Sequence, residues 1–331
     1  MKIVFSPCVV LVCAAFTLMT QLSAQADTFG GGTSNEFTVD FVSISQTNNT
    51  ADTTGYGAVP YNYRVGRYEI SQLQVTKATQ IGMANVSAGA WTGSQPAADI
   101  TWYEAAAFVN FLNTNSGKTA AYNLTFSNSQ WTMAVWSSEQ AWTAGGTNLY
   151  RNKDAFYFLP SENEWYKAAY FNPAGSNYFL YPTASSSVPT AVASGTGAGT
   201  AVYAQPIERG PAGVDDAGAL SSYGTMGQGG NVFEWTESAF DGSNSSSSEA
   251  RAFRAGFWFS TEDSLRSSSR GVNVPTGATR GLGFRVASVD VAPIPEPGTW
   301  AAMAIFAGGA AYAGWRRRRL MIWHGTVSHG A

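Results

Sequence analysis

Phe158-Leu159-Pro160-Ser161-Glu162-Asn163-Glu164-Trp165-Tyr166-Lys167-Ala168-Ala169 is the stretch from which the rest of the chain is best read. Ser161 stands where an N-cap accepts a backbone hydrogen bond. Glu164, three residues on, completes a capping box. Trp165, Ala168 and Ala169 then share one helical face and point inward. The stretch therefore reads as the capped start of a helix packed on a core.

Two more helices carry the same signature. Ser71 with Gln74 opens one over 71–84, and Thr101 with Glu104 opens another inside 96–113, with Ala105, Phe108, Val109 and Leu112 as its apolar face. Phe37 to Ser45 and Tyr61 to Ile70 alternate apolar and polar residues as strands do. Arg251 to Phe259 and Gly281 to Ser288 read as strands, and Tyr122 to Thr143 as an irregular hairpin. Turn-forming residues fill 48–60, 171–202 and the Ser-rich 241–249, and 221–235 is Gly-rich before it ends in a strand. Short helices, many short strands and long ordered loops make a loop-rich α+β domain. There is no internal repeat.

The two ends differ from the middle. Met1-Lys2, an apolar run to Met19 and Ala24-Gln25-Ala26 form a secretory signal, 1–26, with cleavage expected after Ala26. The segment 291–319 holds Pro295-Glu296-Pro297, an uncharged apolar run over 299–315 and Arg316, Arg317, Arg318 and Arg319. That run sits at the short limit of a membrane-spanning helix, and the arginines mark its cytoplasmic side. A tail, 320–331, follows on the cytoplasmic side.

Between the ends lies one domain, 27–290. It carries 14 Lys+Arg against 21 Asp+Glu, a net charge of −7, which speaks against a nucleic-acid surface. The chain's cysteines are Cys8 and Cys13, both in the signal, and its histidines are His324 and His329, both in the tail. The domain thus has no disulfide, no thiolate, no Ser-His-Asp site and no histidine metal ligand. Abundant aromatic, Gly, Ser, Thr and Asn residues suit surfaces that touch sugars, but their default reading is an aromatic core with Gly loops.

Five segments in fixed order carry a family resemblance. They are Val65-Gly66-Arg67-Tyr68-Glu69-Ile70-Ser71; Ile100-Thr101-Trp102-Tyr103-Glu104-Ala105; the helix start quoted above; Gly230-Asn231-Val232-Phe233-Glu234-Trp235; and Arg254-Ala255-Gly256-Phe257-Trp258 followed by Gly283-Phe284-Arg285-Val286. Together they resemble the sulfatase-modifying-factor, or formylglycine-generating enzyme-like, domain, whose fold is a C-type-lectin-like α+β fold. The C-terminal segment resembles the PEP-CTERM sorting signal of Gram-negative bacteria. That resemblance implies processing near Pro295–Pro297 by an exosortase, a membrane transpeptidase, export through a membrane-anchored intermediate to the cell surface or matrix, and an association with exopolysaccharide and biofilm. The tail after Arg319 departs from the usual pattern, which stops after the arginines.

The domain resemblance implies chemistry that the residues do not carry. The family's copper-binding cysteines fall at Ser260 and Leu265, neither of which forms a thiolate. Calcium is the family cofactor whose ligand positions are in part kept here, as the carbonyls of Gly230 and Val232 and the carboxylate of Glu234. The matching upstream ligand position is Gly227, which has no side chain. Arg254, Arg270 and Arg285 are expected to pair with Glu164, Glu234 or Glu237, because buried arginines need partners. Two functional readings stand side by side. One is a non-catalytic module that binds surface polysaccharide or another exported protein. The other is an enzyme with carboxylate chemistry on Glu162/Glu164, Asp215/Asp216, Glu234/Glu237 or Glu262/Asp263.

Overall fold

The computed structural model describes residues 25–290. The apolar run 299–315, the sorting residues and the first 24 positions lie outside them. Among the described residues no helix is long and apolar enough to cross a membrane.

Three short helices form where the capping boxes sit. Helix α1 spans Gln72–Gln80, α2 Trp102–Asn115 and α3 Glu162–Tyr170. In each, the cap hydroxyl accepts from the backbone N–H three residues on, and that residue's side chain accepts from the cap backbone. Two orphan donors per helix are satisfied this way, so short helices need little else to start. The expected apolar face of α2 is buried, and so are Trp102, Tyr103 and Asn113. The Asn113 amide is consumed by the backbone of Phe156 and Tyr157.

Two sheets frame the core. One has five strands in the order Gln25–Phe29, Phe37–Ile44, Tyr63–Gly66, Ala287–Val289 and Tyr157–Phe158, all neighbours antiparallel. The other has four, in the order Gly271–Asn273, Arg251–Arg254, Phe233–Ala239 and Leu282–Phe284. Phe233–Ala239 pairs antiparallel with Arg251–Arg254 and parallel with Leu282–Phe284. The first strand begins at Gln25, two residues ahead of the expected cleavage point, and the Gln25 Oε1 accepts from Arg64.

Three expectations are corrected in extent. The strand over 281–288 is broken into Leu282–Phe284 and Ala287–Val289, because the chain leaves one sheet and enters the other between them. The strand from Arg251 stops at Arg254, where Ala255 adopts φ +97° and Gly256 φ +76° and turn the chain away. The loop 171–202 contains short paired strands, Phe171–Asn172 with Asn177–Tyr178 and Thr190–Val192 with Thr200–Val202.

Buried tryptophans tie the pieces together. Trp102 donates to the Thr236 carbonyl at 2.9 Å, and Trp235 donates to the Ile100 carbonyl at 2.9 Å, so α2 and the strand Phe233–Ala239 exchange indole hydrogen bonds. Each large apolar ring is buried without stranding its N–H. Thr101→Ala removes the α2 cap and is expected to lower stability by about 1 kcal/mol with the spectrum of the folded state unchanged, read by thermal or urea denaturation.

Candidate functional site

The acidic residues singled out in the sequence are, for the most part, already spent. Both oxygens of Glu234 accept from Arg285, at 2.5 and 2.6 Å, and Oε2 also accepts from the Trp165 indole at 2.6 Å. Arg285 pairs as expected. Arg254 and Arg270 do not reach Glu164, Glu234 or Glu237. Both converge on Glu162, Arg254 through Nε at 2.8 Å and Arg270 through Nε and Nη2 at 2.9 and 2.7 Å. Glu164 and Glu237 instead flank Arg151, which contacts them at 2.8 and 2.7 Å. Asp215 and Asp216 lie apart on a loop, and Asp263 pairs with Arg266 at the surface.

Arg151 is the functional-looking residue that the sequence reading missed. It lies fully buried between two carboxylates and over the Phe158 ring at 3.7 Å. Burial pushes both carboxyls up and Arg151 pulls them down; Glu164 ends below its ordinary value and Glu237 above it. One guanidinium cannot compensate two carboxylates equally. Glu237 makes up the difference with neutral donors, the Tyr122 hydroxyl at 2.8 Å and the Asn148 amide. The signal that could have found Arg151 is arithmetical: four inward-facing carboxylates on two segments call for more guanidinium than Arg254, Arg270 and Arg285 supply.

The family's cysteine positions have structural work here. The Ser260 hydroxyl accepts from the Phe257 N–H at 3.0 Å, and Leu265 is buried with its carbonyl accepting from Tyr170. The calcium donors fare no better. A calcium ion needs free oxygens, and those of Glu234 are held by a bidentate guanidinium and an indole. Gly227 adds nothing, and a Cβ there would overlap the Glu69 carboxylate. The donor set does not fit calcium. Among the described residues no group of three or more His, Cys, Asp or Glu gathers as a metal centre.

One carboxyl remains unspent inside. Glu69 is buried beside Gly227, with Oε1 accepting from Asn231 at 3.0 Å and Oε2 without a partner. Burial, and then repulsion from Glu234, raise its pKa to about 8, against the pull of Arg285 and the Asn231 bond. The folded state therefore holds a proton that the unfolded chain releases near 4.5. Stability falls as pH rises from 4.5 to about 8 and then levels.

One of several open features of the surface is a cleft of about 470 Å³. Its walls are the loops 56–61 and 142–148, the start of α3, and the segment 238–244, with Arg270 at one side. Trp142 is half-buried, edge-on to Tyr61 at 5.3 Å, with its indole N–H fixed on the Ala144 carbonyl. Phe240 is 37% exposed and stacked under Arg270. Asn163 and Asn244 add amides among these rings, while the amide of Asn148 is taken up by Glu237 and the Tyr150 N–H. The sequence gives 48–60 and 241–249 as turn-forming loops and 122–143 as a hairpin but no site at any of them, because their neighbours in space are distant in the chain.

The Glu69 arrangement generates a direct expectation. Glu69→Gln removes the titration, so the variant gains stability relative to the parent between pH 4.5 and about 8, and the gain is constant above. Urea denaturation across that range checks it, and parallel pH profiles for the two proteins would contradict it.

Comparison with known proteins agrees with the geometry. The variable protein 1 of Treponema denticola matches at a TM-score of 0.54 and 20% identity, over 81% of this chain and 100% of that one. CarF matches at a TM-score of 0.54 and 18% identity, over 76% and 99%. At these identities the likeness concerns the fold, which is C-type-lectin-like. No curated protein matches. Residues 293–319 match the PEP-CTERM protein-sorting motif, which implies an exported, membrane-anchored protein processed by an exosortase. Residues 32–289 match the sulfatase-modifying factor enzyme 1-like domain, and the chain belongs to that family.

Proposed function

We propose that the domain is a non-catalytic module that binds surface polysaccharide through the cleft, and that sorting delivers it to the cell surface or matrix of a Gram-negative bacterium. The observation that carries this reading is the pairing of partly exposed rings, Tyr61, Trp142 and Phe240, with amides in one cleft. Sugar rings present C–H faces that pack on aromatics and hydroxyls that pair with amides, and such sites need little charge. The carboxylate enzyme reading loses support at two of its four pairs, Glu162/Glu164 and Glu234/Glu237. Glu162, Glu164, Glu234 and Glu237 are each bound to a guanidinium, so none is placed to give or take a substrate proton.

The test is titration of the exported domain with exopolysaccharide fragments by calorimetry. Binding is expected, and Trp142→Ala is expected to weaken it about tenfold or more. Failure of every fragment to bind, or equal binding by the variant, would overturn the reading. The route is tested separately. Intact-mass measurement of surface-released protein is expected to show loss of the apolar run from Thr299 onward, whereas a full-length mass would mean a permanent anchor.

A further inference from the structure

Arg254 and Arg270 share the single carboxylate of Glu162, while Arg151 beside them is flanked by two, Glu164 and Glu237, so what the cleft offers an anion is the local geometry of Arg270 and not an excess of positive charge. Arg254 is buried and spends Nη1 on the carbonyls of Ser267 and Ser269. Arg270 faces the cleft with a side chain 22% exposed. Its Nε and Nη2 hold Glu162, and Nη2 also donates to the Phe240 carbonyl at 2.8 Å. Nη1 has no acceptor among the described residues and is not a buried orphan. The guanidinium is fixed over the Phe240 ring at 3.9 Å and beside the Tyr56 ring at 5.2 Å. It is a held, partly uncommitted donor rather than a wandering surface arginine.

Two amides add to it. The Asn163 Oδ1 accepts from the Gly57 N–H at 3.0 Å, and the Asn244 Oδ1 accepts from the Ala239 N–H at 2.7 Å. A backbone N–H can only donate, so both amide orientations are determined and both NH₂ groups are left over. Neither is a buried orphan. Three chain segments thus supply donors to one cleft. The acidic residue at the rim, Asp241, is exposed and spends Oδ1 on Ser243.

We propose that the cleft selects acidic sugars, a uronic-acid carboxylate docking on Arg270 with Asn163 and Asn244 while the sugar face lies against Trp142. This rests on the cleft being a glycan site and names the class of glycan. A guanidinium recognises a carboxylate more strongly than a hydroxyl, because the bond is charge-assisted and planar. The domain's net charge of −7 repels polyanions at long range, so attraction is confined to the place where a guanidinium is presented.

The experiment compares uronic-acid trisaccharides with their methyl esters, and with neutral trisaccharides, by calorimetry on the exported domain. Esterification removes the charge and little else. The acid is expected to bind about tenfold or more tighter than the ester, with the difference shrinking as salt is added. Arg270→Gln is expected to bring the acid to the ester's affinity. Glu162 keeps Arg254 in that variant, and an unchanged melting profile checks its fold. Asn163→Asp is the second variant: it keeps the Gly57 bond, replaces a donor with an anion, and is expected to weaken the acid more than the ester. Equal affinity for acid and ester, or a preference that survives Arg270→Gln, would overturn the proposal. Trp142-dependent binding of neutral and esterified sugars with no acid preference would overturn it while leaving the glycan reading intact. No binding of any sugar would overturn both.

Discussion

The ion pair between Arg285 and Glu234 is the charged contact at the junction of the two sheets, which otherwise share an apolar core. Arg285 lies where the chain leaves Leu282–Phe284 in the four-stranded sheet and enters Ala287–Val289 in the five-stranded one. Its Nη1 donates to the Gly66 carbonyl at the end of Tyr63–Gly66, and Nη2 donates to Met226 in the Gly-rich loop. Nε and Nη2 hold Glu234 in the opposite sheet. One side chain thus joins both sheets and the loop between them. Burying two charges costs several kcal/mol per ion, and that is recovered only where every donor is used and the geometry is close to ideal. Here no nitrogen of Arg285 is idle, and the indole of Trp165 takes part of the remaining acceptor capacity of Glu234. Such a contact specifies one arrangement more than it adds stability, because a mispacked sheet would leave an unpaired charge inside.

The same logic repeats at Arg151, and it explains how a domain without disulfides holds long loops in place. Arg151 lies in the short strand Asn148–Asn152, and its two carboxylates come from α3 and from Phe233–Ala239. Arg251 uses a different solution. It is buried without a carboxylate, lying over Tyr150 at 3.9 Å and Trp102 at 4.6 Å, and it donates to carbonyls of the Ser-rich loop at Ser247 and Glu249. Burial therefore pushes its pKa down. Ring faces and loop carbonyls stand in for part of the counter-ion, and Nε is left without a partner among the described residues.

What could be read from the sequence was what is local. The three capping boxes stand as expected because cap and N3 residue are three positions apart, so no tertiary information is needed. The fold class followed from five ordered segments whose residues hold the core. Ion-pair partners were legible only in part. Arg285 with Glu234 joins two segments that the motifs already marked, whereas Arg151 sits in Tyr150-Arg151-Asn152, which has no pattern of its own. Glu162 was read as one of a carboxylate pair with Glu164, yet two positions along a helix put them on different sides, and they serve different arginines. Strand ends were overextended because apolar alternation continues through Arg285 while the backbone changes sheets.

Glu162 is where this scaffold meets the surface. Its carboxylate is held on one side by buried Arg254 and on the other by Arg270, so the position of a cleft residue is set by a core residue through two charge-assisted bonds. The other cleft walls are loops of Gly, Asn and Ser, where sequence alone says little about which residues meet. That division has a physical reason. Core segments must satisfy buried charges and rings and are constrained to residues that can do so, while loop residues facing solvent pay no desolvation penalty for exchange. A fold that anchors its rim through arginine–carboxylate links can therefore change what it binds without disturbing what holds it together, provided the inner half of each link stays buried.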